Sequence, residues 1–191
     1  MISRKNRDYV DMGLPSGTLW KDRNETIGDN NFFTYCRARI MFGNELPTSE
    51  QFRELIDKCQ WSWTGSGYKV TGPNGNHIFL PAAGSRDCDC NIYNPSGRCW
   101  KCLEYDANNS YCNGIVFDVG SVGKYWSSES IGSFFHYGLS FSSGGVHLSD
   151  YNSYWDWKSV RLVRHEVLQT LRRAIRSLGS KLTGRGFLVE M

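Results

Sequence analysis

The segment from Tyr125 to Arg164 constrains the fold of this chain more than any other part of it. Its forty residues are rich in Ser, Gly, Tyr, Trp, Phe and Asn and hold few aliphatic positions. Such a mixture is typical of recognition loops, because rigid rings give contact area at low entropic cost and small polar residues give adaptable hydrogen bonds. It also fits an aromatic-rich antiparallel sheet with polar turns, so composition alone leaves both interpretations open.

Within this segment we distinguish scaffold positions from a predicted binding surface. The scaffold positions are Trp126, Leu139, Phe141, Val160 and Leu162, while Tyr137 fits either role. Alternation along the strand from Phe135 to Phe141 sets His136, Gly138 and Ser140 on the face opposite Tyr137, Leu139 and Phe141. The predicted ligand-binding residues are Ser128, Ser130, Ser133, Phe134, His136, Ser142, His147, Ser149, Tyr151, Asn152, Tyr154 and Trp155.

Length and charge narrow the class of protein. A chain of 191 residues with 40% apolar content predicts one domain with an appendage. No apolar run approaches the ~20 residues of a membrane span.

The charges are unevenly distributed along the chain. Residues 164–191 hold six basic and two acidic residues, whereas residues 1–163 hold 16 basic and 17 acidic ones. The main domain therefore lacks the basic face that nucleic-acid binding requires.

The N-terminal residues MISRKNRDYVDMG are basic and then polar, and no apolar stretch follows them. They do not have the pattern of a signal peptide, in which an apolar stretch follows the basic residues. We therefore expect cytoplasmic synthesis followed by retention, virion association or release by lysis, unless a leader has been removed.

Short strands are predicted on both sides of polar turns. Tyr9–Met12 and Thr18–Trp20 flank the Pro15-Ser16-Gly17 turn. Three further strands, at 61–64, 68–71 and 77–81, follow one another closely, and Asn74-Gly75 between the last two is a strong hairpin signal.

Two helices are predicted between these strands. The first spans Phe32–Phe42, with Phe33, Cys36 and Ile40 at near-helical spacing on the core side. The second begins at Thr48, which with Gln51 has the spacing of a capping box, and it sets Phe52, Leu55, Ile56 and Cys59 on one face. Both Cys36 and Cys59 are therefore predicted to be buried.

A cysteine cluster interrupts the chain between residues 86 and 112. Cys88, Cys90, Cys99 and Cys102 have the spacing C-x-C-x8-C-x2-C, which can hold a structural, tetrahedral zinc ion. A disulfide such as Cys90–Cys99, with Cys112 as another partner, is the second interpretation. Free thiols in a reducing compartment are the third. The sequence favours zinc and leaves all three open.

The order of several motifs resembles one known family. The motifs are YVDMGLPSGTLW, ELPTSEQFRELIDKC, GYKVTGPNGNHIFLPAAG, YWSS and SVRLVR, which together cover residues 9–164. They resemble the family named after the major paralogous domains of Fibrobacter, which is common in gut Bacteroidetes and their phages. The chain departs from that family in a shorter segment after Trp20 and in the cysteine-rich insertion 86–112.

This resemblance implies an α+β, C-type lectin-like fold related to the formylglycine-generating-enzyme superfamily, with two helices packed on a twisted, mainly antiparallel sheet and long loops. Several relatives are similar to targets of diversity-generating retroelements, which rewrite the C-terminal part of the domain, and residues 126–157 lie in the matching place. The implied organisation is a ligand-display domain at 1–164, which includes the insertion 86–112, and an appendage at 165–191.

We expect no enzymatic activity. The resemblance to formylglycine-generating enzymes would require a late active-site cysteine, but no cysteine follows Cys112. The four histidines, which would have to form an iron site, are scattered along the chain. No Ser-His-Asp order, Gly-rich phosphate loop or zinc-protease motif is present. Calcium-dependent lectins typically carry Glu-Pro-Asn or Gln-Pro-Asp together with Trp-Asn-Asp, whereas Gly72-Pro73-Asn74 lacks the acid and Trp155-Asp156-Trp157 lacks the Asn-Asp pair.

The appendage begins with the amphipathic pattern HEVLQTLRRAIRSL at 165–178. It can pack on its own domain, serve docking or homo-oligomerisation, or lie on an anionic membrane surface, and the sequence favours the first. The expected function is display of a binding surface towards a protein or glycan ligand on a target cell, as in phage or mobile-element receptor recognition. A surface adhesin or calcium-independent lectin that is not diversified, and a structural virion decoration protein, remain as alternatives.

Overall fold

The structure is a computed structural model that describes residues 8–86, 115–131, 135–153 and 156–165, with the backbone alone for 150–153. Four predicted features lie outside these residues. They are the four cysteines of the predicted zinc site, the helix at 165–178 beyond its first residue, the contact residues Ser133 and Phe134, and the contact residues Tyr154 and Trp155. His165, predicted as the first residue of that helix, instead ends a strand (Val163–His165).

The described chain is a mixed α+β structure, as predicted. It contains two α-helices, α1 (Tyr35–Phe42) and α2 (Ser49–Lys58), joined through a 3-10 turn (Gly43–Glu45). The strands are β1 (Tyr9–Asp11), β2 (Thr18–Lys21), β3 (Gln60–Trp63), β4 (Gly67–Thr71), β5 (His77–Pro81), β6 (Ser85–Arg86), β7 (Val116–Phe117), β8 (Val122–Ile131), β9 (Phe135–Ser142), β10 (Gly145–Ser153) and β11 (Val163–His165). They form four small sheets with the orders β1-β2-β11, β3-β4-β5, β6-β7 and β8-β9-β10, and all these pairings are antiparallel.

Helix α2 forms as the capping box predicts. The Thr48 hydroxyl accepts a hydrogen bond from the Gln51 backbone N–H, and the Gln51 side chain accepts one from the Thr48 N–H. Phe52 and Leu55 are fully buried, and Ile56 packs against the same core. The predicted apolar face of this helix is therefore confirmed at Phe52, Leu55 and Ile56, whereas Cys59, which is predicted to be buried, follows the helix as its C-cap and is only half-buried.

Helix α1 exists, but its predicted core face is wrong. Thr34 caps the helix by accepting a hydrogen bond from the Arg37 N–H, so the helix begins at Tyr35 and Phe33 lies outside it. Tyr35 and Ala38 are buried, whereas Cys36 is exposed and Ile40 is 62% exposed. The prediction counted Phe33 into the helical period and thereby placed the wrong side towards the core.

The hairpins between residues 60 and 81 confirm the predicted strands. Asn74-Gly75 lies in the turn from β4 to β5, and Gly75 has φ +87°, a left-handed conformation that glycine adopts without strain. The amide of Asn74 donates to the Asp11 carbonyl at 2.9 Å, so the hairpin tip is tied to β1.

Two apolar clusters lie on either side of the β8-β9-β10 sheet. On one face Tyr125, Leu139 and Phe141 pack with Phe52 and Leu55 of α2. On the other face Trp126 belongs to a second cluster, which contains Phe33, Tyr35, Ala38, Leu46, Val160 and Leu162. All five predicted scaffold positions are buried, from 0% exposure at Trp126 and Val160 to 5% at Leu162.

Candidate ligand-binding face

The face of the β8-β9-β10 sheet turned away from α2 carries a set of polar side chains. Strand register places Lys124, Ser140 and His147 in one row across the three strands. Directly opposed residues in antiparallel strands point to the same face. Ser142 and Ser149 belong to the neighbouring rows. We call these five residues the open face. His147 is exposed, and the other four are half-buried.

The central strand of the open face is lined by small residues. Gly138, Ser140 and Ser142 follow one another along this side of β9. Larger side chains flank them, with Lys124 and Trp126 on β8 and His147 on β10. On β10, Ser149 and Gly145 lie opposite Gly138 and Ser142, so small residues extend over this part of the face on both sides of His147.

An aromatic cluster covers the part of this sheet face next to the open face. The ring of Tyr35 stacks on the imidazole of His136 with 3.4 Å between centroids, and Trp126 meets both rings edge-on. The Trp126 indole N–H donates to the Phe33 carbonyl at 2.7 Å, and the Tyr35 hydroxyl donates to the Ser128 carbonyl at 3.0 Å. These bonds fix α1 against β8, so this end of the sheet is rigidly supported.

His136 corrects the prediction for the binding surface. Its side chain is only 5% exposed, so it is not a surface contact. The face was assigned correctly, since His136 lies on the same side as Trp126, but α1 covers this part of the face. Burial, helped by the charge of Lys158, lowers the pKa of His136 to about 4, and the imidazole is neutral at pH 7.

Lys158 lies at the boundary between the aromatic cluster and the open face. It is 2% exposed, its ammonium lies 4.4 Å from the centre of the Trp126 ring, and Asp156 is its carboxylate neighbour at 3.4 Å. Burial lowers the pKa of Lys158 to about 8, although the charge of Asp156 opposes this shift. Sequence analysis missed this residue, because a lone lysine between tryptophan and serine looks like an exposed one.

The predicted contact residues divide into several groups. The structure brings Ser142, His147 and Ser149 together on the open face. Ser130 is exposed near the far end of β8, and half-buried Ser128 donates its backbone N–H to the Pro47 carbonyl. Tyr151 and Asn152 belong to β10, where the ladder pairs Asn152 with His136. Lys124 and Ser140 are additions that sequence analysis did not include.

A buried arginine holds the edge of this sheet in place. The guanidinium of Arg161 donates to Asn24 Oδ1 at 3.0 Å and to two backbone carbonyls, those of Lys21 and Phe79. The hydroxyl of Tyr125 joins this network by donating to the Pro81 carbonyl and accepting from the Asn24 amide. The network of Arg161 and Tyr125 therefore links four segments behind the open face, namely 21–24, 79–81 and those of the two residues themselves, a role for which the sequence context of Arg161 held no signal.

In residues 8–86, 115–131, 135–153 and 156–165, no three His, Cys, Asp or Glu side chains are grouped as metal ligands. The predicted zinc ligands Cys88, Cys90, Cys99 and Cys102 lie outside these ranges. No helix within them is long and apolar enough to cross a membrane.

No protein-family model, no curated protein and no solved structure matches the chain. The family resemblance carried by its motifs therefore remains a prediction, and the geometry of the open face is the main guide to function.

Proposed function

We propose that this chain is a non-enzymatic ligand-display protein with a C-type lectin-like fold, whose binding surface is built on the open face and the rest of segment 126–157. The observation that carries the proposal is the difference in burial between the two faces of the β8-β9-β10 sheet. Tyr125, Leu139 and Phe141 are at most 1% exposed on one face, whereas the half-buried and exposed polar side chains of the open face lie on the other. Side chains on the open face can therefore change at small cost to folding.

The motifs that carry the family resemblance are joined by hydrogen bonds, which supports the proposal that they belong to one folded domain. Trp126 of YWSS donates its backbone N–H to the Ser159 carbonyl of SVRLVR at 3.1 Å. The Ser49 N–H at the start of α2 donates to the Glu129 carboxylate at 2.6 Å. Segments that are distant in sequence thus depend on one another, as a fixed scaffold for variable side chains requires.

The proposal includes diversification of this surface and a role in phage or mobile-element receptor recognition. Residues that a retroelement rewrites must tolerate many side chains, and exposed or half-buried positions on a rigid sheet meet that requirement. The proposed variable positions whose side chains the structure describes are Ser128, Ser130, Ser140, Ser142, His147 and Ser149.

The experiment is deep sequencing of codons 120–165 of this gene across one natural population. The proposal predicts substitutions concentrated at the six proposed positions, with Tyr125, Trp126, Leu139, Phe141 and Val160 unchanged. Sparse changes spread evenly along the gene would contradict diversification. An adhesin or lectin of fixed specificity, or a virion decoration protein, would then be the better proposal.

A further inference from the structure

Leu19 lies on the face of the β1-β2-β11 sheet that is turned away from α2. Trp20 and Val163 of this sheet pack into the same apolar cluster as α2. Leu19 precedes Trp20 on β2, so its side chain points to the opposite face. The register places Leu19 in one row with Asp11 of β1 and Arg164 of β11. We call these three residues the outer row.

The burial of Leu19 is not explained by its neighbours in the outer row. Leu19 is 6% exposed, although Asp11 and Arg164 on either side of it are charged. Asp11 is exposed, and the guanidinium of Arg164 is directed to Glu45 at 3.4 Å and to the Tyr9 ring at 4.1 Å. Within the ranges that the structure describes, Leu19 belongs to neither apolar cluster. A leucine enclosed to this degree between charged neighbours indicates that a further apolar segment covers it.

The appendage begins directly beside the outer row. Strand β11 ends at His165, and Arg164 before it is the cross-strand neighbour of Leu19. On the other face of the sheet, Gln51 Nε2 lies 3.1 Å from His165 Nε2. The start of the appendage is therefore held at the edge of this sheet, next to the leucine that requires a cover.

The sequence of the appendage supplies apolar side chains for this cover. A helix over residues 166–178 is about 20 Å long, whereas three strands span roughly 10 Å, so such a helix can cross the whole sheet. Its basic residues lie off the apolar stripe, and the carboxylates of Asp11 and Glu45 at the outer row favour a basic segment. The apolar stripe consists of Val167, Leu168, Leu171, Ala174, Ile175 and Leu178.

From these observations we infer that residues 166–178 form a helix that packs its apolar stripe on Leu19 and covers the outer row within the same chain. The inference is independent of the proposed function. It makes the appendage part of the folded domain, so that its apolar stripe is not free to attach the protein to a larger particle or to a membrane surface.

The test is photo-crosslinking of the full-length protein. Benzoylphenylalanine replaces Asp11, whose side chain shares a face with Leu19, and the control position is Lys69, which is exposed on β4 in a different sheet. Mass spectrometry of the digested protein locates the crosslinks, and a mixture of 15N-labelled and unlabelled chains separates crosslinks within a chain from those between chains. We expect crosslinks within one chain from position 11 to residues 166–178, and none above background from position 69.

A matched pair of variants tests whether the apolar stripe makes the contact. Leu171→Asn alters the middle of the stripe, and Gln169→Asn alters the polar side of the same predicted helix. We expect Leu171→Asn to lower the yield of crosslinks from position 11 at least about fivefold, because it removes a buried leucine, while Gln169→Asn lowers it less than about twofold.

Each other result overturns the inference. Equal yields from positions 11 and 69 would place the helix elsewhere, and crosslinks of mixed label would assign the stripe to an interface between two copies. Crosslinks from position 11 to residues 87–114 alone would assign the cover to the cysteine-rich insertion. A yield that does not respond to Leu171→Asn would mean that the appendage is only tethered near the sheet. The comparison of positions 11 and 69 decides the matter even if Leu171→Asn does not fold.

Discussion

The two faces of the β8-β9-β10 sheet are built from alternate residues of the same strands, yet they obey different constraints. On the core face each ring or aliphatic side chain fills space against α2, as Phe141 does between Tyr68 and Tyr125. On the open face the small side chains of Ser140 and Ser142 are only half-buried. The comparison teaches that one strand can combine a fixed scaffold with a replaceable surface, because successive side chains point to opposite sides.

The largest expected effect comes from removing a core-face ring. Phe141→Ala should lower the free energy of unfolding by about 4 kcal/mol, because it leaves a cavity where the ring packs on Trp61, Tyr68 and Tyr125. Chemical denaturation measures this loss, and Ser140→Ala in the adjacent position is the control. A loss below about 1 kcal/mol for Phe141→Ala would contradict the assignment of the core face.

The second prediction concerns acid, at the covered end of the open face. His136 has a pKa of about 4 when folded, against 6.5 as its ordinary value, so the unfolded chain binds more protons between these pH values. Its contribution to stability is therefore complete above pH 6.5 and is lost as the pH falls towards 4, by at most about 3 kcal/mol. His136→Phe, which retains a ring against Tyr35, should remove this part of the pH dependence.

The measurement is the free energy of unfolding from pH 4 to 8, taken as the difference between His136→Phe and the unmodified protein. His77→Phe serves as control, because His77 is exposed on β5. Parallel stability curves for His136→Phe and the unmodified protein would show that His136 is accessible to protons and would contradict its burial beneath α1.

A third prediction uses two glycines near the same strands. The Phe141 ring lies so close to Gly123 that an added Cβ would overlap it, whereas a Cβ on Gly144 would meet only the Ser142 hydroxyl, at 3.6 Å. Gly123→Ala should therefore cost about 2 kcal/mol through overpacking, and Gly144→Ala should be close to neutral. Equal melting temperatures for the two variants would contradict the packing of Phe141 over β8.

The smallest expected effects lie on the open face itself. Ser140→Asn and His147→Tyr should each change the free energy of unfolding by no more than about 0.5 kcal/mol, since His147 is exposed and half-buried Ser140 lies beside it in the same row. Thermal unfolding of the two single variants and of the double variant checks this. A loss above about 2 kcal/mol would mean that this face is structural, and the proposed division between scaffold and surface would then be wrong.

Local signals allowed much of the fold to be predicted. The capping box of Thr48 and Gln51, the Asn74-Gly75 turn and the buried positions Trp126, Leu139 and Phe141 all depend on nearby residues and strict periodicity. The C-type lectin-like fold is a finer statement that rests on the motif resemblance and remains a proposal.

Long-range contacts could not be predicted in the same way. Alternation placed His136 on the correct side of β9 but could not show that Tyr35, about a hundred residues earlier, would cover it. The burial of Lys158 against Trp126 and of Arg161 among backbone carbonyls also depends on segments that meet only after folding. For the candidate site, sequence analysis therefore predicted the strand and its face, but not which part of that face remains open.

The most direct test of the two-faced sheet is a saturation mutagenesis scan of residues 122–131 and 135–149, read out as resistance of each displayed variant to a protease. The account predicts an alternating profile, in which Gly123, Tyr125, Leu139 and Phe141 tolerate few substitutions, while Lys124, Ser140, Ser142 and His147 tolerate most. Trp126 and His136 should be the intolerant exceptions on the open side, because α1 covers them. A profile without alternation, or one in which Ser140 and His147 are as intolerant as Leu139, would contradict the central claim.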